Sequence, residues 1–85
     1  MCTLKPGILL TETEYGMALL DQRSAEYWTL NPTAAVVLRE LLDGHGPERA
    51  AAALVERYEG VDTDVAAQDV MSIVEEFRSA GLITP

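Results

Sequence analysis

Hydrophobic and polar positions follow a short, strand-like rhythm in the first third of the chain. Residues 8–11 form a brief apolar run after a Pro-Gly pair, and residues 15–21 form a second run that contains Gly16. A third run, residues 25–30, is rich in aromatic and β-branched types, which favour strands. The polar turn at residues 21–24 joins the last two runs into a predicted β-hairpin. Together the three runs predict an antiparallel meander.

The rest of the chain carries apolar residues at helical spacing. Asn31 before Pro32 predicts the start of a first helix, because asparagine caps a free backbone N–H and proline suits the first turn. That helix is predicted to end at residues 43–44, where a glycine follows an aspartate. A second helix is predicted from Pro47 to residues 58–60.

A third helix is predicted from residues 62–64, whose carboxylates suit the helix dipole, to Gly81. Its inward stripe is predicted to comprise Val70, Ile73, Val74 and Phe77. We expect Leu82 and Ile83 to fold back onto the core. The order of three strands and three helices predicts an α+β, winged-helix-like fold in one domain, residues 1–85.

Charge argues against nucleic acid and anionic membranes as partners. The chain has 85 residues, with 14 acidic and 6 basic side chains and a net charge of −8. In the predicted third helix five acidic residues stand against one arginine, the reverse of a DNA-recognition helix.

One cysteine excludes an internal disulfide, and we find neither a signal peptide nor an apolar run of about 20 residues. These features predict a cytoplasmic protein.

The residue inventory offers little for catalysis. The single histidine, His45, lies between two glycines in a predicted turn, and the single cysteine is Cys2. A nucleophile needs a base and a group that orients the base, and no such set is evident. Asp62 and Asp64 lack the spacing of a calcium-binding loop and are better explained as helix-start charges. We therefore expect no enzyme activity, no metal and no cofactor.

Peptide binding is the remaining class, and two features point to it. The third strand pairs on one side only and contains a single charge, Glu26, so that its free edge could accept an extended peptide. On the third helix, Val65 and Ala66 are expected to be partly exposed beside Asp69. Three structural alternatives stay open: a helix or loop covers the edge, Trp28 is simply part of the core, or Val65 and Ala66 only pack the helix start.

Several segments together resemble the PqqD-like family. They are Leu19-Leu20-Asp21, the run YWTLNPTAA from Tyr27 to Ala35, Leu41-Leu42-Asp43-Gly44, Tyr58, Asp69-Val70 and Gly81-Leu82-Ile83. The resemblance covers about residues 7–83. Ala25 departs from the pattern, since relatives often have glycine after the hairpin turn.

The resemblance implies three antiparallel strands followed by three helices, and a recognition element for ribosomally synthesised, post-translationally modified peptides (RiPPs). Such an element binds the leader segment of a precursor peptide, which adds as a strand to the third strand and packs on the third helix. Carried onto this chain, the peptide-binding residues are expected to be Ala25, Glu26, Tyr27, Trp28, Thr29, Leu30, Val65, Ala66, Asp69, Ile73 and Glu76.

Within the family the chain is most similar to the free-standing recognition proteins of lasso peptide biosynthesis. That similarity implies three partners: a precursor leader peptide, a cysteine protease that removes the leader, and an ATP-dependent cyclase that closes a macrolactam ring. The alternative inside the family is a PqqD-type peptide chaperone of coenzyme pyrroloquinoline quinone (PQQ) biosynthesis. Outside the family, the alternatives are an acidic winged-helix regulatory domain and a plain interaction domain.

Overall fold

A computed structural model describes residues 2–84 and confirms the α+β prediction. A three-stranded antiparallel sheet in the order β2-β3-β4 is followed by three helices. The elements are β1 (Thr3–Leu4), β2 (Ile8–Thr13), β3 (Gly16–Asp21), β4 (Tyr27–Leu30), α1 (Pro32–Leu42), α2 (Pro47–Arg57), α3 (Thr63–Ser79) and β5 (Ile83–Thr84). Within residues 2–84, no helix combines the length and the hydrophobicity that a membrane-spanning segment requires.

A tight turn at Glu14 and Tyr15 joins β2 to β3, so β3 begins at Gly16 and not at residue 15 as predicted. Gly16 has φ +148°, and a Cβ placed there would lie 2.1 Å from the carbonyl oxygen of Leu30. Only glycine allows this approach, which brings the start of β3 against the end of β4.

The connection between β3 and β4 corrects the predicted start of the third strand. The Ala25 N–H donates to the Asp21 carbonyl (2.8 Å), and the Asp21 N–H donates to the Glu26 carbonyl (2.9 Å). Ala25 has φ +62°, so it occupies the left-handed position of a G1 β-bulge, where glycine is usual. Ala25 and Glu26 therefore belong to the bulge, and the strand begins at Tyr27.

The three predicted helix starts are confirmed, those of α1 and α3 with side-chain capping bonds. The Asn31 side chain accepts from the Ala34 N–H at 2.8 Å, and the Asp62 side chain accepts from the Asp64 N–H at 2.8 Å. The helices end slightly earlier than predicted. Tyr58 has extended backbone after α2, and α3 stops two residues before Gly81.

The core lies between the sheet and the three helices. Its fully buried side chains include Met17, Leu19, Val37, Leu38, Ala50, Ala66, Val70 and Leu82. Leu82 and Ile83 do fold back onto this core, as expected. Their strand β5 also pairs with β1, with Thr3 opposite Thr84, in a second small sheet that was not predicted.

Candidate functional site

The outer edge of β4 has no strand partner within residues 2–84. The sheet order places β4 beside β3 alone, with Leu20 opposite Tyr27 and Leu19 opposite Trp28. The predicted open edge is therefore present in this part of the chain. An open edge presents free backbone donors and acceptors to another extended chain.

The bulge fixes which backbone groups of β4 face outward. In an antiparallel pair, residues bonded to the neighbouring strand alternate with residues that are not. Because Asp21 and Glu26 form a bonded pair, Trp28 and Leu30 are the next residues whose backbone groups point to β3. The N–H and C=O groups of Tyr27 and Thr29 consequently point away from the sheet.

Side chains of β4 divide between two faces. Trp28 and Leu30 are half-buried and pack against the core on the helical face. Tyr27, 64% exposed, lies on the opposite face with Leu9 and Leu20, where the three form an exposed apolar patch. Trp28 thus packs against the core, as one structural alternative had it, while the edge beside it has no strand partner within residues 2–84.

Of the two apolar residues of α3 that were predicted to be partly exposed, Val65 is exposed and Ala66 is not. Val65 is 51% exposed, Asp69 and Glu76 are exposed, and Ile73 is half-buried. Ala66 is fully buried, so its predicted partial exposure is wrong. It precedes Val70 by four residues and therefore lies on the inward stripe of the helix.

A cavity connects the end of β4 with the face of α3. Its volume is about 400 Å³, and we name it the α1–α3 cavity. It is lined by Asn31, Thr33 and Ala34, which follow β4 directly, and by Asp69, Ser72, Ile73 and Glu76 of α3. Of the predicted peptide-binding residues, only Asp69, Ile73 and Glu76 line this cavity. The strand residues 25–30, Val65 and Ala66 do not.

The segment after β4 also contributes to the site, which the helix-start pattern of Asn31 and Pro32 does not indicate. Asn31, Thr33 and Ala34 form one wall of the cavity. Their position immediately after a predicted edge strand was the available signal. β4 packs on β3 and α1, and α3 packs on α1, α2 and β5, so the first turn of α1 lies between the edge and the helix.

The carboxylates at the cavity have no cationic partner in the described chain. Among residues 2–84 the basic side chains found in contact with a carboxylate are Arg39, beside Glu12, and His45, beside Glu40. Asp69 and Glu76 take part in neither, and both side chains are exposed. The α1–α3 cavity therefore combines a half-buried apolar floor with unneutralised negative charge.

A second cluster of polar groups lies at the opposite end of α1. His45 is in a loop, as predicted, and its Nδ1 lies 2.7 Å from Glu40 Oε2. The ligand atoms of Glu40, Asp43 and His45 are within 4.8 Å of one another and could hold a metal ion. The three groups are partly or fully exposed, and none of them lines the α1–α3 cavity.

The lone thiol is poorly suited to nucleophilic chemistry. Cys2 is half-buried and packs against the core. Burial raises the pKa of the Cys2 thiol, and the charge of Arg78 only partly opposes that shift. A raised pKa keeps the sulfur protonated at neutral pH, whereas the nucleophilic form is the thiolate.

Comparisons with known proteins identify the family and the fold. The family model described as coenzyme PQQ synthesis protein D (PqqD) matches residues 16–83. The structure of lasso peptide synthetase B1 complexed with the leader peptide superposes with a TM-score of 0.89 at 43% identity, over 99% of this chain and 98% of that one. TbiB1 in complex with the TbiA(β) leader peptide shares the fold, with a TM-score of 0.80 at 17% identity over 94% and 93% of the two chains. No curated protein matches the sequence significantly.

Proposed function

The chain belongs to the PqqD family, and on that premise we propose that it is a non-catalytic leader-peptide-binding protein of lasso peptide biosynthesis. The single observation that carries the proposal is the 43% identity, over nearly the whole chain, to a lasso peptide synthetase B1 that is complexed with its leader peptide. The open edge of β4 and the adjoining α1–α3 cavity supply a surface that suits an extended peptide.

Binding would proceed by strand addition. The outward N–H and C=O groups of Tyr27 and Thr29 would bond the main chain of the leader, which gives affinity with little sequence preference. Alternate leader side chains would face the helices, toward Trp28, Ile73 and the α1–α3 cavity, and these contacts would supply specificity. Val65 extends the exposed apolar surface of α3 and is proposed as a further contact.

We propose that the bound leader is presented to two enzymes, a cysteine protease that removes it and an ATP-dependent cyclase. Holding the leader beside an enzyme raises the effective concentration of the scissile region without any new chemistry. The proposed location is the cytoplasm, in keeping with a single thiol and no disulfide. The proposed unit of function is one domain spanning residues 1–85.

Hydrogen exchange with and without peptide tests the binding mode. The probe is the leader peptide of the 43% identical synthetase B1 complex. In the free protein we expect the amides of Trp28 and Leu30 to be protected and those of Tyr27 and Thr29 to exchange fast. At a peptide concentration of about 100 Kd, exchange at Tyr27 and Thr29 should slow by about a hundredfold, because only the free fraction exchanges. Protection confined to α2 would contradict strand addition.

Absence of hydrolysis is a separate part of the proposal. The purified protein should leave the same leader peptide intact during prolonged incubation, as followed by mass spectrometry. Cleavage that persists through purification and is abolished by Cys2→Ala or His45→Ala would overturn it, because those residues are the strongest nucleophile and base the chain offers.

A PqqD-type chaperone of coenzyme PQQ biosynthesis is the second candidate, favoured by the description of the matching family model. The two functions differ in the peptide that is bound. Competition between a lasso leader and the precursor peptide of the coenzyme pathway separates them. We expect the lasso leader to bind more tightly, and the reverse order would favour the second candidate.

A further inference from the structure

We propose that the α1–α3 cavity is a subsite that selects one long basic side chain, lysine or arginine, of the bound peptide. The inference rests on the proposed function, because it requires a peptide along β4. It adds a chemical requirement on that peptide, which neither the fold nor strand addition supplies.

The position of the cavity connects it to the open edge. Leu30 is the last residue of β4, and Asn31, which follows it, already lines the cavity. A strand added to β4 places every second side chain on the helical face, the face that Trp28 and Leu30 occupy. One such side chain, level with the end of β4, would therefore extend over the mouth of the cavity.

The shape and lining of the cavity suit a long side chain with a charged end. Ala34 and Ile73 are half-buried and offer apolar contacts for a stem of several methylenes. Asp69 and Glu76 lie seven residues apart on α3, about 10 Å along the helix axis, with Ile73 between them. A lysine or arginine with its stem on Ile73 would reach a carboxylate at one end of the cavity.

The charge of the cavity disfavours acidic and aliphatic side chains of the peptide. The first turn of a helix ordinarily favours an anion, but Asn31 already satisfies the Ala34 N–H and two carboxylates line the cavity. An acidic peptide side chain would be repelled by Asp69 and Glu76. An aliphatic one would cover these carboxylates without pairing them, which is unfavourable. A long cationic side chain is the partner that can pack on the apolar floor, Ala34 and Ile73, and also pair with Asp69 or Glu76.

A host–guest peptide series tests the subsite. The probe is the leader peptide of the synthetase B1 complex, synthesised with either lysine or norleucine at each position in turn. Norleucine keeps the aliphatic stem and lacks the charge. Dissociation constants are measured by fluorescence anisotropy for the wild type, for Asp69→Asn with Glu76→Gln combined, and for Glu56→Gln, which removes an exposed acid on α2 as the matched control.

We expect one position at which lysine binds the wild type about threefold to tenfold more tightly than norleucine, the range of one or two exposed ion pairs. This preference should vanish in the double variant and persist in Glu56→Gln. A preference spread evenly over all positions, or one that survives in the double variant, overturns the subsite while leader binding stands. If no peptide of either series binds the folded protein, the proposed function fails and the subsite fails with it.

Discussion

The two outer strands of the same sheet differ in how their free edges are protected. β2 ends in the polar residues Thr11, Glu12 and Thr13, whereas β4 contains no charged residue from Tyr27 to Leu30. Glu12 is paired across the strands with the buried Met17, so its side chain points to the helical face, where the Arg39 guanidinium binds it through two nitrogens. An inward-pointing charge on an edge strand opposes the addition of another strand.

The difference indicates that the two edges of one sheet can be distinguished mainly by their side chains. Among residues 2–84 both edges leave backbone groups free, although the Ile8 N–H on the β2 edge already donates to the Lys5 carbonyl. At β2 an added strand would have to accommodate the Glu12–Arg39 pair, whereas at β4 it would meet Trp28, Leu30 and the α1–α3 cavity. We therefore expect a peptide at β4 and none at β2.

The largest expected effect comes from closing the open edge with Thr29→Pro. The Thr29 N–H points away from β3, so proline removes no bond of the sheet but removes one donor to the added strand and places a ring there. Leader affinity should fall about tenfold or more, with one lost hydrogen bond and the steric block acting together. Titration with labelled leader measures this loss.

Two control variants separate the loss of the outward N–H from a change of side chain and from disruption of the sheet. Thr29→Val keeps the N–H and the side-chain shape, and it should bind as wild type. Trp28→Pro removes a donor that the ladder to β3 uses, so it should lower the melting temperature strongly. A folded Thr29→Pro protein with unchanged affinity would place the peptide elsewhere than on β4.

The second effect tests whether α3 shares the site with the open edge. Val65 is 51% exposed near the start of α3, and Val65→Glu would put a charge into an apolar contact with the leader. Fully burying a valine stabilises by about 1.5–3 kcal/mol, so we expect roughly tenfold weaker binding. Folding should survive, because an acidic residue in the first turn suits the helix dipole.

Val55→Glu is the matched control for that substitution, since Val55 is an exposed valine on α2. Arg49→Ala, at the start of the same helix, is a second control that leaves α3 unaltered. If Val65→Glu melts normally and binds the leader as wild type does, this end of α3 lies outside the contact. Unfolding of Val65→Glu would instead assign Val65 to the core.

Local signals made the helices and the open edge predictable. Asn31 and Asp62 cap helices through bonds to residues two or three positions away, so the information lies within a few residues of sequence. The openness of β4 followed from strand order and from the scarcity of charge in the run that ends at Leu30. The exposure of Asp69 and Glu76 followed from their helical phase relative to Val70.

The features that the sequence did not predict depend on contacts between distant residues or on an unusual backbone conformation. β1 pairs with β5 between Thr3 and Thr84, and two-residue strands at opposite ends of the chain leave no periodic signal. The bulge at Ala25 requires a left-handed backbone conformation. A glycine at this position would have predicted that conformation, but an alanine does not. The α1–α3 cavity was missed because its two walls are separated by more than 30 residues of sequence and meet only through packing.

A third prediction concerns the bulge that turns Tyr27 and Thr29 outward. Alanine in the left-handed region costs roughly 1–2 kcal/mol, and glycine removes that strain while adding freedom to the unfolded chain. Ala25→Gly should therefore raise the free energy of unfolding by about 0.5–1 kcal/mol. Urea melts measure the change, with Ala67→Gly at an exposed position in the second turn of α3 as the control that should destabilise. A loss of stability in Ala25→Gly would contradict the bulge geometry.

The smallest expected effect concerns the β2 edge. It is the pH dependence of the stability that the Glu12–Arg39 pair contributes. Hydrogen bonds from the Arg39 guanidinium hold the pKa of the Glu12 carboxyl below its ordinary value of 4.5. A carboxyl whose pKa is lower in the folded than in the unfolded protein stabilises the fold above the unfolded value. That stabilisation is lost as the pH falls through the lowered pKa. Glu12→Gln should therefore melt slightly below wild type at pH 7, and the difference should shrink to nothing at a pH well below 4.5. A difference that is the same at both pH values would show that Glu12 stabilises β2 by packing and not by its charge.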